Sequence, residues 1–162
     1  MKFTIDTEFN GFGGELLSLA LVPWDDYYPS LYLRVPDHHH PGGEGLEPWV
    51  SKNVWPYIAS APVLADIAAV PAWASTITQY LSARGGVPYI IADWPDDIRY
   101  FCQTVITGPG EMPAALARLQ FDMVRVDPYE AGSAPPGAVR HNAWWDAVAL
   151  RDHLKLHTKG EY

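Results

Sequence analysis

Polar and apolar positions alternate from Met1 to Phe9, with Phe3, Ile5 and Phe9 on one side and Lys2, Thr4, Asp6 and Glu8 on the other. That period of two predicts a β-strand. Asn10-Gly11-Phe12-Gly13-Gly14 follows and supplies residues that tolerate the positive φ of a hairpin-type turn. Glu15–Val22 is almost continuously apolar and predicts a strand buried on both faces, and Ser30–Val35 predicts a third. Pro36–Pro48 has no period and predicts a loop long enough to be functional. The middle predicts helix broken by Pro56, Pro62 and Pro71, stopping near Arg84-Gly85-Gly86, where glycine past the last periodic residue ends a helix. Val87–Ala92 predicts a short strand. Trp94-Pro95-Asp96-Asp97 then opens a helix, with proline first and two acids in the first turn. Gln120–Val126 predicts a fifth strand, Asp127–Gly137 a turn-rich loop, and Val139 or later a helix to about Leu156. The order β-β-β-α-β-α-β-α predicts one α/β domain over residues 1–162. Its sheet is mixed and five-stranded, three antiparallel strands continued by parallel crossovers, with helices flanking it.

Composition narrows the function classes. With 48% hydrophobic residues and 7 Trp, 9 Tyr and 5 Phe among 162, the chain can bury a core and is not a disordered segment. A lone cysteine, Cys102, cannot close an internal disulfide, which favours a reducing, cytoplasmic compartment. Lying in a helix with no basic neighbour, its thiol reads as core. The longest uncharged run, Ile67–Ala83, contains Pro71 and several polar residues and falls short of the ~20 apolar residues a membrane span needs. Asp6 and Glu8 interrupt any N-terminal signal core. His38-His39-His40 reads as an exposed polar loop, because adjacent residues rarely converge on one ion. A net charge of −8 argues against simple electrostatic binding of long nucleic acid. It does not exclude a phosphate held through cations that stand between it and carboxylates.

Three groups of acids carry the candidate chemistry. Asp6 and Glu8, two apart on a strand, project from one face and can share an ion. Without a cation they repel each other, and solvation at a strand end is the plain alternative. Asp93, Asp96 and Asp97 surround a strand-to-helix junction, where acids offset the helix dipole and where sheets of this kind bind ligands. His141 and Asp146 would sit about 140° apart on one continuous helix. They converge if that helix starts just after His141, leaving the imidazole on the incoming loop and Asp146 in the second turn. Each residue alone has an ordinary structural reading; the set is the signal.

In combination, Ile5-Asp6-Thr7-Glu8, Asp93–Asp97 followed by Ile98-Arg99-Tyr100-Phe101, and His141, Ala143 and Asp146 in a His-x-Ala-x-x-Asp pattern resemble the DEDDh 3′–5′ exonucleases. That ribonuclease-H-like family includes ribonuclease T, oligoribonuclease and polymerase proofreading subunits. The resemblance spans nearly the whole chain and is nearest to the small single-domain 3′–5′ exoribonucleases of bacteria and phages. Spacing aligns Asp97 with the middle-motif aspartate. The chain departs from the family in carrying Asp93 where Asn is usual and Asp96 where Phe is usual, so the choice among the three acids stays open.

The resemblance implies a ribonuclease-H-like fold and two ions of Mg²⁺ or Mn²⁺ held by Asp6, Glu8, Asp97 and Asp146, with His141 as general base. The implied partner is a single-stranded 3′ end of RNA, released as nucleoside 5′-monophosphates. A DNA-directed exonuclease of the same chemistry and a catalytically silent binding module are the alternatives. A homodimer and the cytoplasm of a bacterial or phage-infected cell are also implied. Phe9 and Phe12, just beyond Glu8, are candidates to stack on substrate bases, with core or hairpin packing as the alternative. Trp144 and Trp145 read as one core residue and one partly exposed neighbour. The site itself is expected to hold no cationic side chain.

Overall fold

The computed structural model describes residues 1–39 and 45–157. β1 (Lys2–Phe9) and β2 (Leu16–Pro23) pair antiparallel, Ile5 opposite Leu21 and Asp6 opposite Ala20, with an irregularity between Glu8 and Phe9. The turn between them uses Gly11 and Gly13 at φ 71° and 75°, which an L side chain resists. β3 (Leu31–Arg34) lies antiparallel to β2 and carries a two-residue parallel strand, β4 (Asp66–Ile67), on its outer side. β5 (Tyr89–Ala92) runs parallel to β1, and β6 (Gln120–Met123) parallel to β5. The sheet is mixed and six-stranded, in the order β4-β3-β2-β1-β5-β6.

The fifth-strand count therefore needs correcting to six. β4 is two exposed residues long, too short to show a period. β6 also ends at Met123 rather than Val126. The helix predicted across the middle is fragmentary: α1 (Pro48–Asn53), 3₁₀ turns at Trp55–Tyr57 and Val70–Ala72, and α2 (Trp73–Ser82). Pro56 and Pro71 lie inside those 3₁₀ turns, where a missing N–H and the ring clash forbid continuous α-helix. α3 (Pro95–Val105) and α4 (Ala143–His157) complete the fold. His40 and the rest of 40–44 lie outside the described residues. His38 is exposed, and the His39 ring meets Glu15 Oε2 at 3.0 Å.

Both faces of the sheet are covered. Phe3, Ile5, Leu19, Leu33, Trp73, Ile77 and Phe101 form the core against α2 and α3, with Cys102 partly buried at its edge. On the other face, Ala20, Val22 and Tyr32 pack against Ala143, Ala147 and Val148 of α4. The small side chains of α4 let its backbone approach β1 so closely that Thr4 Oγ1 donates to the Ala147 carbonyl at 2.7 Å. The polar side of β1 is therefore not a solvent face; it runs beneath α4 and emerges at Asp6 and Glu8. Because β1 is parallel to β5, its carboxyl end shares an edge with Asp93 and the start of α3. Among the described residues no helix is long and apolar enough to cross a membrane.

Candidate metal centre

Four segments deliver the site. β1 contributes Asp6 and Glu8; the junction after β5 contributes Asp93; Asp97 is the third residue of α3; Asp146 is the fourth residue of α4. His141 precedes α4 on the incoming loop, and Asp146 lies in the first helical turn rather than the second. The local architecture explains the helix start. Asn142 Oδ1 accepts from the Trp145 N–H at 3.2 Å, an N-cap bond, while its amide donates to the Tyr57 carbonyl at 2.8 Å. His141 itself has φ 64°, an uncommon conformation for a residue with a Cβ. Its backbone N–H donates to Asp146 Oδ2 at 2.9 Å, so the carboxylate also fixes the turn that presents the imidazole.

Side-chain donor atoms gather in two sets, Glu8 with His141 and Asp146, and Asp6 with Asp93 and Asp97, all within 4.8 Å of one another in each set. Within the second set Asp97 is the most constrained. Its Oδ1 accepts from the Thr7 N–H at 2.9 Å and from the Thr7 hydroxyl at 2.7 Å, whereas its Oδ2 is buried without a hydrogen-bond partner. Asp96 is committed elsewhere: it accepts from Arg99 Nε at 2.7 Å and from Trp94 Nε1 at 3.0 Å. Of the three acids that spacing left open, Asp93 and Asp97 converge with Asp6 and Asp96 does not.

Such crowding is costly in the absence of counter-charge. Burial, followed by repulsion from Asp97, Asp146, Glu8 and Asp93, raises the Asp6 carboxyl well above the carboxylate range. Glu8 is raised likewise by burial and by Asp146 and Asp97. Burial foremost pushes Asp97 and Asp146 up to about 7 and Asp93 up to about 6. Burial and then the Arg140 charge lower His141 below its ordinary value, which keeps the ring neutral at pH 7. A divalent cation answers each of these penalties. Hard oxygen donors in this number suit Mg²⁺ or Mn²⁺, and the unpartnered Asp97 Oδ2 is the kind of atom such an ion satisfies.

These residues line a cavity of about 870 Å³ that also takes in Phe9, Phe12, Trp49, Trp94, Arg125, Tyr129 and Arg140. Phe12 is 96% exposed at its rim. Phe9 is half-buried and stacks on Tyr100 at 4.6 Å between centroids, so its packing role is real and its cavity face is secondary. Trp144 and Trp145 are both half-buried, edge to face at 4.7 Å; Trp144 packs against the core beneath α4, and Trp145 is its partly exposed neighbour.

Three residues have no forewarning in the sequence patterns. Tyr129 donates to Asp146 Oδ1 at 2.5 Å. Arg140 pairs with Asp127 and lies 5.3 Å over the Tyr129 ring. Arg125 donates to the Asp93 carbonyl and sits 4.2 Å over the Trp94 ring. The expectation of a site free of protein cations is thus wrong, because the loops after β6 and before α4 bring two arginines to its wall. An Arg or Tyr in a turn-rich loop carries no spacing motif that could have announced it. Trp49, edge-on to the His141 ring at 5.0 Å, also owes its place to folding alone. No protein-family model matches the chain, and no curated protein matches its sequence.

Proposed function

We propose that the chain is a metal-dependent 3′-to-5′ exoribonuclease of the DEDDh kind on a ribonuclease-H-like fold. The observation that carries the reading is the meeting of Asp6, Glu8, Asp97, Asp146 and His141 from β1, α3 and the start of α4 in one cavity, as two adjacent sets of donors. The sheet adds support, since antiparallel β1 to β3 continue into parallel β5 and β6. In this reading Asp6, Glu8 and Asp146 would hold one ion and Asp6 and Asp97 the other, with His141 next to the first set. The ions, when bound, supply Lewis-acid stabilisation of the attacking and leaving oxygens.

The remaining work falls to the chain. A neutral ring nitrogen of His141 takes a proton from the attacking water. The water oxygen bonds to phosphorus as the bond from phosphorus to the 3′ oxygen of the preceding nucleotide breaks. That oxygen leaves with a proton from solvent, and a nucleoside 5′-monophosphate is released. Phe12, and Phe9 to a lesser degree, offer rings to the terminal nucleoside.

The test is a 5′-labelled oligoribonucleotide, with a matching oligodeoxyribonucleotide in parallel, incubated with Mg²⁺ or Mn²⁺. A ladder that shortens from the 3′ end of the RNA, abolished by Asp6→Ala and by chelator, is the expected result. Faster loss of the DNA strand would reassign the substrate, and full-length product from both at micromolar protein would sink the reading.

A further inference from the structure

We propose that Trp94 and Arg125 form a subsite for the second nucleotide from the 3′ end, the indole receiving its base and the guanidinium its phosphate. The inference rests on the exonuclease reading and gives it a direction. His141 groups with Glu8 and Asp146, and Asp93 groups with Asp6 and Asp97, as two separate sets of donors in one cavity. An in-line displacement sets the attacking water and the leaving oxygen on opposite sides of phosphorus. With the water at His141, the leaving oxygen lies on the Asp93 side. That oxygen belongs to the second nucleotide, so the rest of the strand departs past Asp93.

What stands there fits a nucleotide. Trp94 directly follows Asp93, lines the cavity and is 48% exposed. Its Nε1 bond to Asp96 Oδ2 holds the ring in place. Arg125 lies over that ring and is braced by the Asp93 carbonyl. Arg34, Arg99, Arg140 and Arg151 each pair with a carboxylate; Arg84, Arg118 and Arg125 form no salt bridge among the described residues, and of these three Arg125 lines the cavity. A guanidinium that forms no salt bridge among the described residues, lying over one face of an indole that is still 48% exposed, matches a phosphate and a base together. In a chain of net charge −8, such a handle lets a short 3′ end engage without a broad basic surface. A cavity of about 870 Å³ lies near the upper end of ordinary ligand sites, roughly 300–1,000 Å³, so it has room for more than the terminal nucleotide.

The test compares two substrates that differ only beyond the leaving oxygen: a hexaribonucleotide, and the p-nitrophenyl ester of uridine 5′-monophosphate, in which nitrophenolate replaces the second nucleotide. For Trp94→Ala and Arg125→Ala the ratio of kcat/KM on the hexamer to that on the ester should fall by at least about tenfold, through a higher KM on the hexamer. Trp94→Phe, which keeps a stacking ring, should return the ratio to within about threefold of the unaltered protein. An unchanged ratio, or equal losses on both substrates, would overturn the subsite while leaving the exonuclease reading intact. An unaltered protein inert toward both substrates would overturn that reading and the subsite with it.

Discussion

Thr7 donates both its backbone N–H and its hydroxyl to one oxygen of Asp97, tying β1 to the first turn of α3 across 90 residues of chain. The double donation satisfies Oδ1 and leaves the buried Oδ2 bare, which is an orientation rather than a neutralisation. Thr7→Val keeps the side chain's shape and the backbone bond but deletes the hydroxyl. The variant should lose about 1–2 kcal/mol of stability and bind Mn²⁺ more weakly. Denaturant unfolding and calorimetric titration read the two effects separately, and a variant unchanged in both would deny Thr7 a positioning role.

The acid cluster makes stability depend on pH in an unusual sense. Asp97 and Asp146 at about 7 and Asp93 at about 6 hold protons in the folded state that the unfolded chain has already released. Their contribution is fully present below the ordinary carboxylate range and is lost as pH rises through about 7. His141 and His153, both lowered mainly by burial, oppose this trend in part, being two groups against five. Asp37 and Asp96, lowered by hydrogen bonds from Arg34 and Arg99, act only at more acid pH. In chelator, the melting temperature should fall from about pH 5 to about pH 7.5, and millimolar Mn²⁺ should flatten that slope by favouring the charged forms. A metal-free melting temperature that climbs over this interval would contradict the arrangement.

Replacing His141 separates proton transfer from architecture. Its backbone sits in the left-handed region, where Asn is tolerated better than Ala, so His141→Asn is the cleaner variant. Under the proposed function it should cut turnover by about 10²–10⁴-fold while the N–H bond to Asp146 survives and Mn²⁺ still binds. An unchanged rate would return His141 to a purely structural role.

Phe9 and Phe12 should part company on substitution. Phe12 is 96% exposed, so Phe12→Ala should leave the melting temperature alone. It should weaken binding of a short oligoribonucleotide, by about 1–3 kcal/mol if the ring stacks on a base. Phe9→Ala removes the stack on Tyr100 and should lower stability by about 0.5–1.5 kcal/mol or more. Fluorescence anisotropy with a labelled oligonucleotide, beside thermal melts, distinguishes the two.

Local pattern carried the features that depend on neighbours in sequence. Alternation along β1 already places Asp6 and Glu8 on one face, because successive strand residues point to opposite sides. Pro95 with Asp96 and Asp97 marks the start of α3 for reasons internal to one helical turn. The spacing of His141 and Asp146 requires a helix to begin between them, as it does at Ala143. What local pattern lacked was any term for contacts across the chain. Asp96 and Asp97 differ by one residue and about 100° of rotation; the Arg99 partner of Asp96 is a local i,i+3 neighbour, whereas the Thr7 partner that orients Asp97 lies 90 residues away and comes only with folding. The same holds for Arg125, Tyr129 and Arg140, which reach the site through loops of no regular period, and for β4, whose two residues are a strand only because β3 lies beside them. The sequence by itself determined the acids, their spacing and the elements that bear them, since those follow from backbone geometry over a few residues. The tertiary structure alone decided which acids meet and which cations join them, since that follows from packing between segments far apart in the chain.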